Sequence, residues 1–550
     1  MFTLAFFIGI YSYSIFALGI FDLLTRLNII YVTVIWFILL LFFERDSIVF
    51  LFKKVSKRSL SLKKIYKDAT FLFMLLFIVL ALVNLIGALG PELAFDALWY
   101  HLTLPQLFLL NHSIYHIPGG LLYYSDMPKL GEMLYVGALS LGNEIVAKVI
   151  HYLFGILAAI ALYKISRKFF THFISILVVV IFYSNLVVDT ESITAYVDLI
   201  RTFFEIMTLW AFLNWYKTSK ITWLISTGIM TGLAVTTKVL GIGSIIVFST
   251  LFIVAFFEPR FKMNLKKGFG YLLLYCFIAF LIPLPWFIFA FIHTGDPVYP
   301  FFTHTYPISS TQFGISQFII GLWNLFMYSP DPISPIYLIF LPLLFLIFSS
   351  LQKEIKLIVW YCGLNLILWY FTPQTGGGRF ILPYLPAFSL ICGAIFSELG
   401  IKNYDLWNLK KNQLANYLIG LVMFVTLISI GYRFVANSKY IPVLLGKETK
   451  SQFLSNHLNF SFGDFYDTDS YFATHIKATD MVLLYGFHNL YYIDFPYVDN
   501  SWVKKGYKFD YIAVQNTKIP SKYVNWQLIY FNDKTKVRLY RSKNSHFEAY

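Results

Sequence analysis

Long apolar runs separated by short polar connections occupy the first 432 residues, a pattern that reads as repeated membrane crossing rather than as a water-soluble core. Thirteen runs approach the length of a bilayer span, near 3–21, 28–43, 70–90, 145–163, 173–188, 199–215, 221–237, 239–257, 269–291, 336–350, 357–372, 380–398 and 413–432. Lipid offers no partner to a backbone N–H or C=O, so each run is predicted to be a helix. Two connections, 91–144 and 292–335, are much longer than the rest. The first contains the turn signals HIPGG and DMP and is expected to fold into short helices lying on the membrane surface. After Tyr432 the pattern changes. Residues 433–550 are polar, with strand-like runs MVLLYG (481–486), LYYIDF (490–495), YIAVQ (511–515), WQLIYF (526–531) and VRLYR (537–541). The expected architecture is an all-α polytopic membrane domain over 1–432, with about 13 transmembrane helices, and a small α/β domain over 433–550.

Composition agrees: 58% of the 550 residues are hydrophobic, 13% are charged and the mean hydropathy is +0.66. The net charge of +14 would point to nucleic acid in a soluble protein, but here its distribution decides. Twenty-two Lys and Arg lie in alternate connections, at 44–68, 164–172, 217–220, 258–268, 351–356 and 400–412. Only Arg26, Lys129, Lys148, Arg201, Lys238 and Arg379 lie elsewhere before Arg433. The positive-inside rule then puts the N-terminus in the cytoplasm and the C-terminal domain outside the plasma membrane, with no nucleic-acid partner. The three cysteines, Cys276, Cys362 and Cys392, sit in apolar runs and imply neither a disulfide framework nor a metal site.

Candidate chemistry begins at FDALWYHL, residues 95–102, where Asp96 and His101 directly follow the apolar segment Phe71–Leu89. An ionisable pair at a membrane boundary marks a site by default; the bland alternative is a loop anchor, with Trp99 and Tyr100 as interfacial aromatics. Three outward cations stand out because the charge rule disfavours them: Lys238 in TTKVLG, Arg201 close behind Asp198 in AYVDLIRTFF, and Arg379 at the end of QTGGGR. Each alone reads as a charge partner or snorkelling anchor, whereas together on one face they point to a shared anionic ligand. Sugar transfer from a lipid phosphate needs a carboxylate to accept the proton of the acceptor hydroxyl and cations to steady the departing phosphate. Asp96 with Lys238, Arg201 and Arg379 supplies both. His112 and His116 are spaced as ligands on one helical face, but no third ligand is evident and Asp96 has no adjacent carboxylate, so no metal or other cofactor is expected.

Five segments taken in order, FDALWYHLTLPQLFLLNHSI, AYVDLIRTFF, GLAVTTKVLGIG, PLPWFIFAFIHTGDPVYPFF and GGRFILPYLPAFSL, resemble the bacterial members of the GT-C superfamily. These are membrane glycosyltransferases related to protein O-mannosyltransferases and lipid A aminoarabinose transferases, and the resemblance covers roughly residues 70–400. It implies a polyprenyl-phosphate-linked sugar as donor, an extracytoplasmic lipid, glycan or protein as acceptor, and inversion at the anomeric carbon. The family's first-loop acid maps onto Asp96 as catalytic base and its second-loop acid onto Asp198, with Asp189 and Glu191 as rivals. Its cationic phosphate contacts fall on Lys238 and Arg379. Arg201 joins the phosphate contacts by position, and His101, Tyr100 and Glu191 join as substrate contacts. One departure is that two additional apolar runs precede the first-loop acid; as a pair they leave the loop facing outward. The competing reading is a transporter or flippase for a lipid-linked or anionic substrate. That class places its charges near the midplane of discontinuous helices and often shows an internal repeat, whereas here the charges sit at span ends and no repeat is seen.

Overall fold

The computed structural model describes all residues except 57–68, 259–260, 262–264, 304–313, 328–330, 373, 401–412, 543–546 and 550. The basic connections expected at 44–68, 258–268 and 400–412 therefore fall wholly or partly outside the described residues. The apolar runs lie on helices: α1 (Phe2–Ile20), α2 (Arg26–Ser56), α3 (Ala69–Ala88), α4 (Thr103–Leu110), α5 (Leu130–Leu141), α6 (Glu144–Ser166), α7 (His172–Tyr183), α8 (Leu186–Ser192) and α9 (Asp198–Thr218). They continue as α10 (Ile221–Thr237), α11 (Ile242–Phe256), α12 (Leu265–Leu281), α13 (Leu284–Thr294), α14 (Ile315–Met327), α15 (Ile336–Ile347), α16 (Lys353–Tyr370), α17 (Leu385–Glu398) and α18 (Gln413–Asn437). Among the described residues, six helices are long and apolar enough to cross a membrane, or eight if each bent pair is one span. The other runs are short or, like α9, interrupted by buried charges.

Two spans are broken rather than straight. α7 and α8 meet at 67° and α12 and α13 at 57°. Pro283 explains the second break, since it lacks the N–H that would continue the ladder. The first is made by Asn185, whose side-chain amide donates to the carbonyls of Ile181 (2.9 Å) and Phe182 (2.8 Å) and accepts from the Ser334 amide (2.7 Å). The carbonyls freed at the bend are taken up by α18: Arg433 donates to Tyr183 (2.7 Å) and Asn185, and Ser429 to Ser184 (2.8 Å). Backbone polar groups inside an apolar bundle need such partners. Arg433, which closes the apolar stretch in sequence, is thus a fully buried side chain of α18, and that helix continues to Asn437.

At the centre runs α9, which packs on α6 and α10 and is buried along nearly its whole length. Two of its buried charged residues bond inside the bundle. Arg201 donates to the Tyr384 hydroxyl (2.6 Å), while Glu205 accepts from Tyr361 (2.6 Å) and Ser244 (2.8 Å). These bonds tie α9 to α11, α16 and the turn before α17.

Among its described residues the C-terminal region has seven strands, β1 (Val482–Tyr485), β2 (Tyr497–Asp499), β3 (Tyr507–Phe509), β4 (Tyr511–Val514), β5 (Gln527–Phe531), β6 (Arg538–Arg541) and β7 (Phe547–Ala549), in a five-stranded sheet of order β2-β1-β4-β6-β5 and a two-stranded sheet of β3 and β7. β1 runs parallel to β2 and β4, β6 is antiparallel to β4 and β5, and β3 pairs separately with β7. The run LYYIDF is not a strand. Its Tyr491 amide donates to the Leu98 carbonyl (3.3 Å) and its Tyr492 hydroxyl to the Glu92 carbonyl (3.0 Å), so this segment docks the domain onto the helices. Val482 and Leu484 of β1 share a core with Tyr100, Phe108 of α4 and Trp286 of α13, which makes the sheet and these helices one packed body.

Two outcomes follow from these contacts. Arg433→Ala strands the carbonyls at the α7–α8 bend and should cost more than ~2 kcal/mol, read as a lower melting temperature in detergent. In β2, burial pushes the Asp499 carboxyl up to about 6, although the Ser501 amide donates to it at 2.8 Å. The folded domain therefore holds that proton more tightly than the unfolded chain, whose value is about 3.9. Domain stability should fall as pH rises from about 4 through 6, and Asp499→Asn should flatten that slope in melts across the same range.

Candidate functional site

Five segments remote in sequence converge at one end of the bundle. Asp96 directly precedes a π-helical turn, Ala97–His101, the wide turn that recurs at functional sites. Glu191 lies near the end of α8, which the Asn185 break turns inward, and Asp198 opens α9, where the helix N-terminus favours a carboxylate. Lys238 is the extended residue between α10 and the 3₁₀ turn leading into α11. Arg379 closes the 3₁₀ stretch Gln374–Phe380. Just before it, a Cβ on Gly378 would stand 2.0 Å from the Asp331 carbonyl oxygen, so only glycine lets the chain pass there.

Arg379 is the hub. Its Nη1 donates to Asp96 Oδ2 (2.9 Å) and its Nη2 to Asp198 Oδ2 (3.3 Å), and its Nε stands 3.0 Å from Glu191 Oε1 as an ion contact without hydrogen-bond alignment. The guanidinium carbon lies 4.1 Å from the centre of the Tyr196 ring, and the Tyr196 hydroxyl accepts from the Asp96 amide at 3.3 Å. Lys238 Nζ donates to the other oxygen of Asp198 at 2.7 Å. Asp198 thus joins both cations, and three carboxylates share them. His151 lies 3.9 Å from Glu191 but does not charge-pair with it. Its Nδ1 faces the Thr194 carbonyl (2.9 Å) and its Nε2 accepts from the Leu199 amide (2.9 Å), an arrangement that requires the neutral ring.

Beside this cluster opens a cavity of about 400 Å³, lined by Asp96, Lys238 and Arg379 and also by His101, Lys129 and Glu132. Tyr100 and Tyr124 form an aromatic wall, stacked at 3.9 Å between ring centres. Lys129 precedes α5. Burial pulls its ammonium down to about 8, with Glu132 and Asp126 opposing that shift, and it donates to the carbonyls of Tyr124 and Met127. An anion arriving there would restore what burial has cost the cation.

The expected residues divide cleanly. Asp96, Asp198, Glu191, Lys238 and Arg379 meet in one cluster, and Tyr100 and His101 line the cavity. Arg201 does not reach it: one helical turn into α9, its guanidinium turns towards Tyr384 inside the bundle. Asp189 also lies apart, accepting from Asn437 at 3.2 Å. Among the histidines, His116 bonds Asp126 (2.7 Å) while His112 faces the Leu24 carbonyl (3.3 Å), so the two do not form a pair; no metal-binding group of three occurs among the described residues. Lys129 and Glu132 were missing from the expected set. Lys129 was visible as an outward cation, but Glu132 is one acid in a surface segment and carries no sequence signal. The hub makes a direct prediction. Arg379→Gln leaves three carboxylates around Lys238 and should destabilise the protein by about 3–5 kcal/mol; adding Glu191→Gln should recover part of that loss in detergent melts.

Comparison with known proteins bears on the fold. Residues 120–295 match the family model described as dolichyl-phosphate-mannose-protein mannosyltransferase. No curated protein matches in sequence. ArnT from Cupriavidus metallidurans bound to undecaprenyl phosphate is similar in structure, with a TM-score of 0.54 at 12% identity, covering 85% of this chain and 97% of that one. Its apo form matches with a TM-score of 0.54 at 13% identity over the same shares. The Pmt1-Pmt2 protein O-mannosyltransferase complex of S. cerevisiae, bound to the sugar donor, aligns over 42% of this chain and 35% of that one at 18% identity, with a TM-score of 0.32. Several apolar helices, a small C-terminal sheet domain and the likeness to ArnT together show that the chain shares that protein's fold.

Proposed function

We propose that the protein transfers a sugar from a polyprenyl phosphate to a hydroxyl of an acceptor outside the cytoplasm. The observation that carries this reading is the convergence of Asp96, Asp198, Lys238 and Arg379 from separate segments into one ion cluster, of which Asp96, Lys238 and Arg379 line a cavity. The similarity to ArnT bound to undecaprenyl phosphate supports the class of donor. The excess of Lys and Arg in the alternate connections supports a cytoplasmic N-terminus and an extracytoplasmic site and C-terminal domain.

In this reading the lipid phosphate binds between Arg379 and Lys238, where paired cations stabilise the negative charge that grows on the phosphate oxygen as the anomeric bond breaks. Arriving there, it competes with Asp96 for Arg379 Nη1. The displaced Asp96 carboxylate accepts the proton of the acceptor hydroxyl. That oxygen bonds to the anomeric carbon from the face opposite the phosphate, and the C–O electron pair leaves with the polyprenyl phosphate. Asp198 keeps its bond to Lys238 and holds the ammonium in place. Among the described residues no group of three ligands calls for a metal, and the scheme uses none.

The test compares Asp96→Asn with the double variant Lys238→Ala/Arg379→Ala in nanodiscs. Asp96→Asn should lose sugar transfer to envelope glycans by at least 100-fold while still binding undecaprenyl phosphate. The double variant should lose lipid binding. Full transfer by Asp96→Asn, or unchanged lipid binding by the double variant, would refute the assignment. Lost substrate export with intact glycans would instead identify a transporter.

A further inference from the structure

In the wall of the same cavity, His101 and Glu132 form a pair that the ion cluster does not use. His101 Nδ1 lies 2.7 Å from Glu132 Oε1, and both residues are at least nine-tenths buried, at 2% and 4% exposure. An ionised carboxylate only accepts, so Nδ1 carries a hydrogen, and in the neutral ring Nε2 then presents its lone pair. Neither His101 Nε2 nor Glu132 Oε2 has a partner among the described residues, although both side chains line the cavity wall.

Two buried acceptors without donors are costly unless a ligand supplies the hydrogens. Asp96, Asp198 and Glu191 differ in that each already faces Arg379. Lys129 does not relieve the pair: its Nζ donates to the carbonyls of Tyr124 and Met127. Next to the pair, Tyr100 stacks on Tyr124, and its ring lies 4.1 Å from that of His101, which adds an aromatic wall to the two acceptors. A wall of ring faces beside convergent acceptors matches a sugar, which has an apolar C–H face and a rim of hydroxyls. The ionised phosphodiester of a sugar-linked donor and its lipid chain bring no hydrogens to such a place.

We infer that His101 and Glu132 are the sugar-reading subsite of the cavity, taking two hydrogen-bond donors, hydroxyl or amino, from the ring carried by the lipid phosphate. The inference rests on the donor reading above and adds which part of the donor lies where: phosphate towards Arg379 and Lys238, ring towards His101 and Glu132. Selectivity follows from the same physics, because a sugar lacking one of the two donors leaves a buried acceptor unpaired.

The probes are undecaprenyl phosphate and its mannosyl, glucosyl, galactosyl and 4-amino-4-deoxyarabinosyl derivatives, with binding measured on the full-length protein in nanodiscs. The wild type should bind at least one glycosylated lipid ten-fold or more tightly than the bare phosphate. Glu132→Gln and His101→Phe should each erase that gain and leave affinity for the bare phosphate within two-fold. A second series needs no variant. Monodeoxy versions of the preferred sugar should show two positions, and only two, whose removal weakens wild-type binding ten-fold. The subsite is overturned if both variants keep the gain, if they weaken bare phosphate equally, or if no deoxy position matters. Failure of the wild type to bind bare undecaprenyl phosphate would overturn the donor reading itself. Phosphate binding without a gain from any sugar overturns the subsite alone.

Discussion

One guanidinium organises the functional end of this protein. Arg379 holds carboxylates from three separate segments, the loop after α3, the end of α8 and the start of α9, and Lys238 shares one of them. Within an apolar bundle none of these charges is tolerable alone, because desolvation without a partner costs several kcal/mol per ion. Their mutual neutralisation makes the cluster possible. It also fixes the ends of several helices relative to one another and brings the cationic wall to the cavity.

The rest of the fold can be followed outward from that requirement. Glu191 reaches Arg379 because the span carrying it is bent at Asn185, and the bend survives because Arg433 and Ser429 of α18 take its carbonyls. Asp198 reaches it because α9 is the buried axis of the bundle, tied by Arg201 and Glu205 to the helices around it. The C-terminal sheet domain closes over the same end. His488 stacks on Phe95, next to Asp96, and lies 4.4 Å from Trp99 between ring centres. Loop, bundle and C-terminal domain thus share one packed region around the cavity.

Much of this was legible in the sequence because membranes make charge conspicuous. Asp96, Lys238 and Arg379 stood out as ionisable residues at span ends on the side that the charge rule keeps poor in Lys and Arg, and they do meet. The same signal misled at Arg201, since position along a helix does not say which way a side chain turns, and its partner Tyr384 is remote in sequence. Arg433 read as the start of a polar domain for a like reason: its partners, the carbonyls at a bend, exist only once α7 and α8 have formed. LYYIDF has the residues of a strand, but its tyrosines are spent on docking, and β2 and β3 are too short to announce themselves. Glu132 was invisible because its meaning depends entirely on His101 standing 2.7 Å away.

The most direct measurement is an experimental structure of the full-length protein in nanodiscs with undecaprenyl phosphate. The account predicts a phosphate within hydrogen-bond distance of Arg379 and Lys238, with Asp96 released from Nη1 and facing the cavity. A phosphate lodged elsewhere on the protein, with the Asp96–Arg379 contact intact, would contradict it.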